Sequence, residues 1–375
     1  MRNRLHELHA AGQSIWLDYI DRAMLHDGTL AARIRDDALM GMTSNPTIFE
    51  KALAEGTSYD DQLAGAATEA TTAQRFELVA TTDVRDACDA FRGVYDRTDG
   101  GDGYVSLEVA PTLANDASGT VEEAHRLWRT VDRPNCMIKV PGTVAGAEAI
   151  RQLIADGLNV NVTLLFSLEA HRRVIDAYLD GIAARVARGL DVSRVASVAS
   201  FFISRVDSEI DKRLDAMATA HPGRAETLAA LKGQAAIANA RLAYRLTQAS
   251  FSGERWAPLA ARGAHIQRPL WASTSTKNPA YRDVRYVEEL IGPGTVNTLP
   301  PATLEAFRDH GETRRSVDEG VDRAERTLAA LEAEGISLRE VTDLLLDQGL
   351  AAFEASYSTL LAGIDRKSRA LATSA

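Results

Sequence analysis

The chain has 375 residues, of which 45% are hydrophobic and 25% charged, and its formal net charge is −10. These proportions are typical of a globular protein with a sizeable core, and the acidic balance argues against a nucleic-acid binder that relies on a basic surface. Only two cysteines occur and no apolar run of 18 residues is present, so we expect a cytoplasmic protein with no membrane segment and no nucleic-acid partner.

Short apolar segments alternate with longer amphipathic ones along the whole chain. The segments with strand character are residues 14–18, 39–43, 104–109, 136–140, 159–166, 195–203, 265–272 and 295–299. Helical patterns are predicted at residues 30–35, 58–97, 120–131, 143–156, 167–188, 206–218, 224–251 and 302–367. In the last of these, Gly335 and Gly349 predict breaks, and elsewhere Thr120 and Ser167 are expected helix caps.

Eight strands alternating with helices predict an α/β fold, a single (β/α)8 TIM barrel over residues 1–375 with additional C-terminal helices from about residue 302. The main competing arrangement is a doubly wound sheet, because helix periodicity does not separate the two. Neither the dinucleotide-binding fingerprint nor a P-loop occurs. The eight histidines are scattered and lack metal-ligand spacing. We therefore expect no metal centre and no nucleotide bound through either motif.

Lys139 lies near the end of the fourth predicted strand, just before a Pro141-Gly142 break. Burial among apolar residues disfavours the charged form of an amine, and a neutral amine can attack a carbonyl to form a Schiff base. A lysine at a strand end can also extend its ammonium to solvent, or pair with a carboxylate. From this strand alone, a lysine that extends to solvent or pairs with a carboxylate is favoured over a reactive one. The residues on the other strands are needed to distinguish the two interpretations.

Polar residues recur on or just after the other strands, and in a barrel the carboxyl ends of all strands meet at one face. They are Asp18, Asn45, Glu108, Asn161, Thr163, Ser200, Arg205, Ser273, Ser275 and Lys277. Asn161 and Thr163 share one face of a buried strand, and unpaired polar groups there would be costly. Glu108, flanked by apolar residues, also needs a partner.

Three of these residues have ordinary interpretations when taken alone. Asp18 could cap the next segment, Asn45 before proline is a common turn signal, and Arg205 could begin a surface helix. As a set, however, a lysine, two carboxylates and several amides and hydroxyls at successive strand ends predict an active site.

The sequence resembles the transaldolases, a family of class I Schiff-base aldolases. The matching segments are residues 13–18, 43–46, 105–108, 137–140, 159–167, 199–205 and 271–279. The resemblance implies a barrel that is circularly permuted relative to other Schiff-base aldolases, with the lysine on strand four and no cofactor. It also implies transfer of a dihydroxyacetone unit from sedoheptulose 7-phosphate to glyceraldehyde 3-phosphate, which gives erythrose 4-phosphate and fructose 6-phosphate in the pentose phosphate pathway.

The resemblance further implies catalytic roles for four residues. Lys139 is similar to the Schiff-base lysine, and Asp18 to the acid/base that handles the C4 hydroxyl during C–C cleavage. Glu108 and Thr163 resemble the pair that holds a proton-shuttling water at the carbinolamine stage.

Substrate binding is implied for a second group of residues. Asn45 and Asn161 match the amides that orient the dihydroxyacetone hydroxyls, Ser200 matches a serine that lines the site, and Arg205 matches a phosphate-binding arginine. The loop after strand seven is two residues longer than the usual element, and the loop after Lys139 is one residue longer than in many members. Either Ser273 or Ser275 could therefore bind phosphate together with Lys277.

Two other functions compete with transfer. A fructose 6-phosphate aldolase would release free dihydroxyacetone, and such enzymes often protonate the enamine through a tyrosine. No strand-end tyrosine is evident, which favours transfer. A catalytically silent binding barrel is disfavoured because Lys139, Glu108 and Asp18 occur together. We expect sugar phosphates as partners, and the sequence leaves open whether the protein is a monomer or a homodimer.

Overall fold

The structure is a computed structural model that describes residues 3–54, 56–66 and 69–374. At its centre eight parallel strands form a closed barrel, in which each strand pairs with the next along the chain and the last pairs with the first. The strands are β1 (Gln13–Asp18), β2 (Leu39–Thr43), β3 (Val105–Glu108), β4 (Cys136–Pro141), β5 (Val160–Leu165), β6 (Ser197–Phe202), β7 (Arg268–Ala272) and β8 (Thr295–Leu299). The predicted (β/α)8 barrel is confirmed, and a doubly wound sheet is excluded because the sheet closes.

One helix precedes β1, and at least one helix follows every strand of the barrel. They are α1 (Arg4–Ala10), α2 (Arg22–His26), α3 (Thr29–Asp36), α4 (Pro46–Ala54), α5 (Asp60–Ala64), α6 (Thr72–Arg97), α7 (Ala117–Val131), α8 (Val144–Asp156), α9 (Leu168–Ala187), α10 (Ser204–Ala220), α11 (Ala225–Ala229), α12 (Ala235–Ser250), α13 (Ala257–Ala260), α14 (Arg285–Glu288), α15 (Pro301–His310), α16 (Val321–Ala333) and α17 (Leu338–Ser374). Within the described ranges, none of these helices combines the length and the apolar character that crossing a bilayer requires.

Some predicted helices have different bounds. The helix expected over residues 58–97 is two helices, α5 and α6, because Thr71 caps α6 by accepting a hydrogen bond from the Gln74 backbone N–H. The helix expected over residues 224–251 is likewise divided into α11 and α12. Pro46 ends the second strand region as expected, but it also begins α4, since proline suits the first turn of a helix.

The two expected helix caps have opposite outcomes. Thr120 lies inside α7, where its hydroxyl donates to the Leu113 carbonyl at 3.0 Å, and Asp116 caps the helix instead by accepting from the Gly119 N–H. The sequence did not indicate this earlier start, because residues 117–119 show no apolar periodicity. Ser167 does cap α9, because its hydroxyl oxygen accepts a hydrogen bond from the Ala170 N–H at 3.1 Å.

The two glycines expected to interrupt the C-terminal region also differ. Gly335 lies between α16 and α17 with a positive φ of 87°, as a helix end requires. The break predicted at Gly349 is wrong, because α17 continues through it. Glycine at this position lets the backbone of α17 approach β5 closely, because an added Cβ atom would lie 3.0 Å from Leu164 Cδ2.

The register of three neighbouring strands sets the geometry of the site. Glu108 pairs with Lys139 across β3 and β4, and Lys139 pairs with Asn161 across β4 and β5. Paired residues of adjacent strands point to the same side of a sheet. The Lys139 residue is 5% exposed and Asn161 is fully buried, so the three polar groups share one level of the barrel interior.

Candidate active site

A cavity of about 340 Å³ is lined by residues from the carboxyl ends of the strands. The sequence-predicted residues that border it are Asp18, Asn45, Lys139, Thr163, Ser200, Arg205, Ser273, Ser275 and Lys277. The other two, Glu108 and Asn161, contact this set through Lys139 and Ser200 respectively. Its volume is typical of a small-molecule site. All residues predicted for the site therefore lie together.

Lys139 is held inside the barrel by two partners. Its Nζ lies 3.3 Å from Glu108 Oε2 and donates a hydrogen bond to the Ser44 carbonyl at 3.1 Å. Extension of the ammonium to solvent is thus excluded, while pairing with a carboxylate is observed. Burying both members of an ion pair costs desolvation free energy, and this pair adjoins a cavity. Such an arrangement is more typical of a functional site than of a structural one.

Thr163 Oγ1 has no hydrogen-bond partner among the described residues, and Glu108 Oε2 has none apart from its ion-pair contact with Lys139 Nζ at 3.3 Å. The Glu108 side chain is 4% exposed and Thr163 is fully buried. Burial raises the pKa of Glu108, and the charge of Lys139 opposes this effect. Since buried polar groups are almost always paired, these two oxygens are suited to bind a water or a substrate hydroxyl.

Asp18 ends β1 and faces the same cavity. Its Oδ1 accepts a hydrogen bond from the Thr43 hydroxyl at 2.7 Å, and that hydroxyl also lies 2.6 Å from Thr298 Oγ1. Burial raises the pKa of Asp18, while Lys139 and Thr43 oppose the change. Asp18 does not cap the next helix, because Asp21 caps α2. Its carboxylate is therefore available for acid/base chemistry.

Two amides border or adjoin the cavity. Asn161 donates to Ser106 Oγ at 2.9 Å and accepts from the Ser200 hydroxyl at 2.7 Å, which fixes the orientation of its side chain. Asn45 accepts a hydrogen bond from the Ile48 N–H at 3.0 Å, in the first turn of α4. This occupies its oxygen and leaves the amide nitrogen as a donor.

Three cations border the cavity without a carboxylate partner among the described residues: Lys51 on α4, and Arg205 and Lys277 at the ends of neighbouring strands. Within the described residues, neither Arg205, in the first turn of α10, nor Lys277, after β7, forms an ion pair. Burial lowers the pKa of both groups, and the charge of Arg205 lowers that of Lys277 further. Two cations near one another, a partly buried arginine and a more exposed lysine, are suited to bind an anion such as phosphate.

The two candidate serines after β7 have different neighbours. Lys277 Nζ donates to Ser275 Oγ at 2.6 Å. Ser273 Oγ instead lies 3.0 Å from Ser204 Oγ, and the Ser273 backbone has a positive φ of 56°. Both serines border the cavity, but only Ser275 is hydrogen-bonded to the lysine.

Sequence reasoning missed several residues of the site. They are Thr43, Ser44, Ser106 and Thr298, which contact the catalytic candidates, and Lys51, Phe202 and Phe353, which border the cavity. Ser106 could have been found, because it shares a face with Glu108 two residues away. Phe353 gave no signal, since the pattern of a helix does not tell which surface its apolar face covers.

Comparison with known proteins supports an enzymatic role for this site. Residues 15–364 match the family described as transaldolase/fructose-6-phosphate aldolase. The chain belongs to this family. Transaldolase 1 of Streptomyces coelicolor is 49% identical over 96% of this chain and 94% of its own length. The transaldolase of Acidothermus cellulolyticus is 50% identical over 98% and 97% of the two chains, and that of Thermobifida fusca is 49% identical over 99% of each. Because the transaldolase/fructose-6-phosphate aldolase family includes both transfer and release of the three-carbon unit, the chemistry of the site has to separate them.

Proposed function

We propose that this protein is a transaldolase, which transfers a dihydroxyacetone unit from sedoheptulose 7-phosphate to glyceraldehyde 3-phosphate and gives erythrose 4-phosphate and fructose 6-phosphate. The pathway is the pentose phosphate pathway, and the cytoplasm is the expected location. The observation that carries the proposal is the buried Lys139–Glu108 pair, with its 3.3 Å separation, next to a cavity that Arg205 and Lys277 also border. The names of the similar bacterial proteins support the same reaction.

The first chemical stage forms the Schiff base. The neutral amine of Lys139 attacks the C2 carbonyl of the ketose, and the carbinolamine then loses water to give an iminium. This stage moves protons onto and off the C2 oxygen. Thr163, whose buried hydroxyl oxygen has no hydrogen-bond partner among the described residues, and Glu108, whose Oε2 faces Lys139 Nζ, would hold a water that carries those protons.

The second stage breaks and remakes the C3–C4 bond. Asp18 removes the proton of the C4 hydroxyl, the bond electrons move into the iminium, and the aldose product leaves. The enamine that remains attacks the acceptor aldehyde, and Asp18 returns the proton. Asn45 and Asn161 would hold the hydroxyls of the three-carbon unit with neutral amides, which orient the enamine without protonating it.

Release of free dihydroxyacetone is the competing reaction. It requires a group that protonates the enamine carbon, and tyrosine often serves. In the part of the chain that the structure describes, no tyrosine borders the cavity. The aromatic residues there are Phe202 and Phe353, which have no proton to donate. This composition supports transfer.

An assay with fructose 6-phosphate tests the proposed function. With erythrose 4-phosphate present, we expect equal amounts of glyceraldehyde 3-phosphate and sedoheptulose 7-phosphate. Without an acceptor, we expect little product beyond one turnover. Rapid formation of free dihydroxyacetone without an acceptor would identify an aldolase instead, and no reaction under either condition would favour a silent barrel.

Replacing Glu108 by glutamine, or Thr163 by alanine, should slow turnover much more than it weakens substrate binding. General acid/base groups contribute about 10²- to 10⁴-fold to rate, so we expect kcat to fall within that range while KM changes little. Steady-state kinetics with fructose 6-phosphate and erythrose 4-phosphate measure both constants. Thr163→Ser is the matched control, because it keeps the hydroxyl and should retain most of the activity. Near-normal kcat in Glu108→Gln would remove this carboxylate from the mechanism.

Arg205→Ala and Lys277→Ala should each raise KM for fructose 6-phosphate strongly. A surface of net charge −10 repels a dianion at long range, so local cations have to compensate. Hydrogen bonds to a charged partner are worth about 1.5–3 kcal/mol, which corresponds to roughly 10- to 150-fold in binding. Activity toward unphosphorylated fructose should change little, because that substrate lacks the interaction.

Lys212→Ala is the control for these two variants. Lys212 lies on α10, seven residues after Arg205, and its side chain is 80% exposed. The substitution removes the same charge from the same helix without altering the cavity. If fructose and fructose 6-phosphate lose activity equally in Arg205→Ala and Lys277→Ala, the two residues hold the loops and phosphate is bound elsewhere.

A further inference from the structure

The C-terminal helix α17 forms one wall of the cavity. At Gly349 its backbone approaches β5, where an added Cβ would lie 3.0 Å from Leu164 Cδ2 and 3.8 Å from an Arg205 nitrogen. Phe353 borders the cavity, with the centre of its ring 5.7 Å from Lys139 Nζ. Tyr357 borders a separate cavity of about 90 Å³ that Glu108 also borders. A spacing of four residues puts these three positions on one face of the helix.

Phe353 is an apolar residue whose ring approaches Lys139 Nζ, the nitrogen that would react. It is 7% exposed, and the polar contacts of Lys139 Nζ within the described structure are with the Glu108 carboxylate and the Ser44 carbonyl. An aromatic ring face attracts a cation weakly, and a ring also excludes water from the atoms that it covers. A charged or hydroxylic residue at this position would instead bring water or a proton close to the enamine.

We propose that Phe353, carried by α17, keeps water other than the one held by Glu108 and Thr163 away from the enamine on Lys139 and thereby favours transfer of the three-carbon unit over its release. This inference rests on the proposed function and adds a residue that controls the fate of the intermediate. Exclusion of water from a closed site is a general way to protect a reactive intermediate from hydrolysis.

The reaction that Phe353 suppresses can be written in full. The enamine takes up a proton at C3 and becomes the iminium of dihydroxyacetone. Water then adds to C2, the C2–N bond of the carbinolamine breaks, and the products are dihydroxyacetone and the free Lys139 amine. The added water replaces the one lost when the Schiff base formed, so the overall change is cleavage of fructose 6-phosphate into dihydroxyacetone and glyceraldehyde 3-phosphate. Addition of water at C2 also releases the ketose product of transfer, so the two outcomes separate at protonation of C3, to which water can carry the proton that Asp18 took from the C4 hydroxyl.

The ratio of release to transfer tests the proposal. Fructose 6-phosphate is supplied with and without erythrose 4-phosphate, and free dihydroxyacetone and sedoheptulose 7-phosphate are measured. In Phe353→Ala the ratio should rise by about tenfold, which corresponds to about 1.4 kcal/mol between the two barriers. Phe353→Leu fills most of the same space and should keep the ratio within about threefold of the parent protein.

Leu360→Ala is the matched control. Leu360 is buried on the same helix, 2% exposed, and borders a different cavity between α4 and α17. It should loosen the helix and lower the melting temperature without changing the ratio. An unchanged ratio in Phe353→Ala, or an equal rise in Leu360→Ala, would overturn the proposal. If the parent protein transfers nothing to erythrose 4-phosphate, the proposed function itself fails, which is a separate result.

Discussion

Replacing Lys139 by arginine is expected to reduce turnover to the background of the assay. In the proposed mechanism the transferred three-carbon unit is bound covalently to this nitrogen. A guanidinium stays protonated and cannot form the imine. Arginine retains the positive charge and can still pair with Glu108, which lies 3.3 Å from Lys139 Nζ. The loss should therefore reflect the missing nucleophile rather than an unpaired buried carboxylate. Initial rates of glyceraldehyde 3-phosphate formation measure it.

Lys232→Arg is the control for the same chemical change at another site. Lys232 pairs with Asp215 at 2.8 Å, and neither residue borders the cavity. Its activity should equal that of the parent protein. Measurable turnover in Lys139→Arg, beyond that of a preparation lacking the enzyme, would contradict a Schiff base at this position.

Asp18→Ala is expected to stop the reaction after the Schiff base forms. The imine requires only Lys139 and its proton carriers, whereas C–C cleavage requires a base at the C4 hydroxyl. Borohydride reduction of the variant with fructose 6-phosphate should therefore trap the intact six-carbon sugar, while the parent protein gives mainly a three-carbon adduct. Mass spectrometry of the reduced protein separates the two. A three-carbon adduct in Asp18→Ala would assign cleavage to another group.

The pH dependence of the parent enzyme follows from the same residue. Asp18 has to be ionised to accept a proton, and burial raises its pKa above the usual range of about 4. Activity should accordingly fall on acidification at a higher pH than an exposed aspartate would give. Schiff-base formation does not use Asp18, so an acid dependence that remains in the trapping rate of Asp18→Ala belongs to Glu108, whose pKa burial also raises. Rapid trapping over a pH series measures it.

The strands and the residues on them could be predicted from the sequence because a strand alternates strictly between two faces. Lys139 and Asn161 lie inside the barrel as that alternation requires, and Glu108 pairs with Lys139 in register. Strand order follows from regular alternation with helices. The closeness of these residues therefore follows from the barrel topology, which the alternation of strands and helices predicts, and from the two-residue period of each strand.

The contribution of α17 could not be predicted in this way. In the sequence, Gly349 predicts a helix break. The structure shows instead that the absence of a side chain allows close contact with Leu164, a residue far away in the chain. Phe353 is one apolar residue among many on an amphipathic helix. Only the packing of that helix over the barrel brings its ring to 5.7 Å from Lys139 Nζ. Similarly, the sequence alone allows Asp18 to be a helix cap, and only the structure shows that Asp21 caps α2 instead.

Borohydride trapping followed by peptide mapping tests the central claim most directly. Lys51 and Lys277 also border the cavity, so the position of the label, and not merely its presence, is informative. Incubation with fructose 6-phosphate and borohydride should place a reduced three-carbon unit on the peptide that contains Lys139 and abolish activity in proportion to labelling. A label on Lys51 or Lys277, or inactivation without any label on Lys139, would contradict the mechanism.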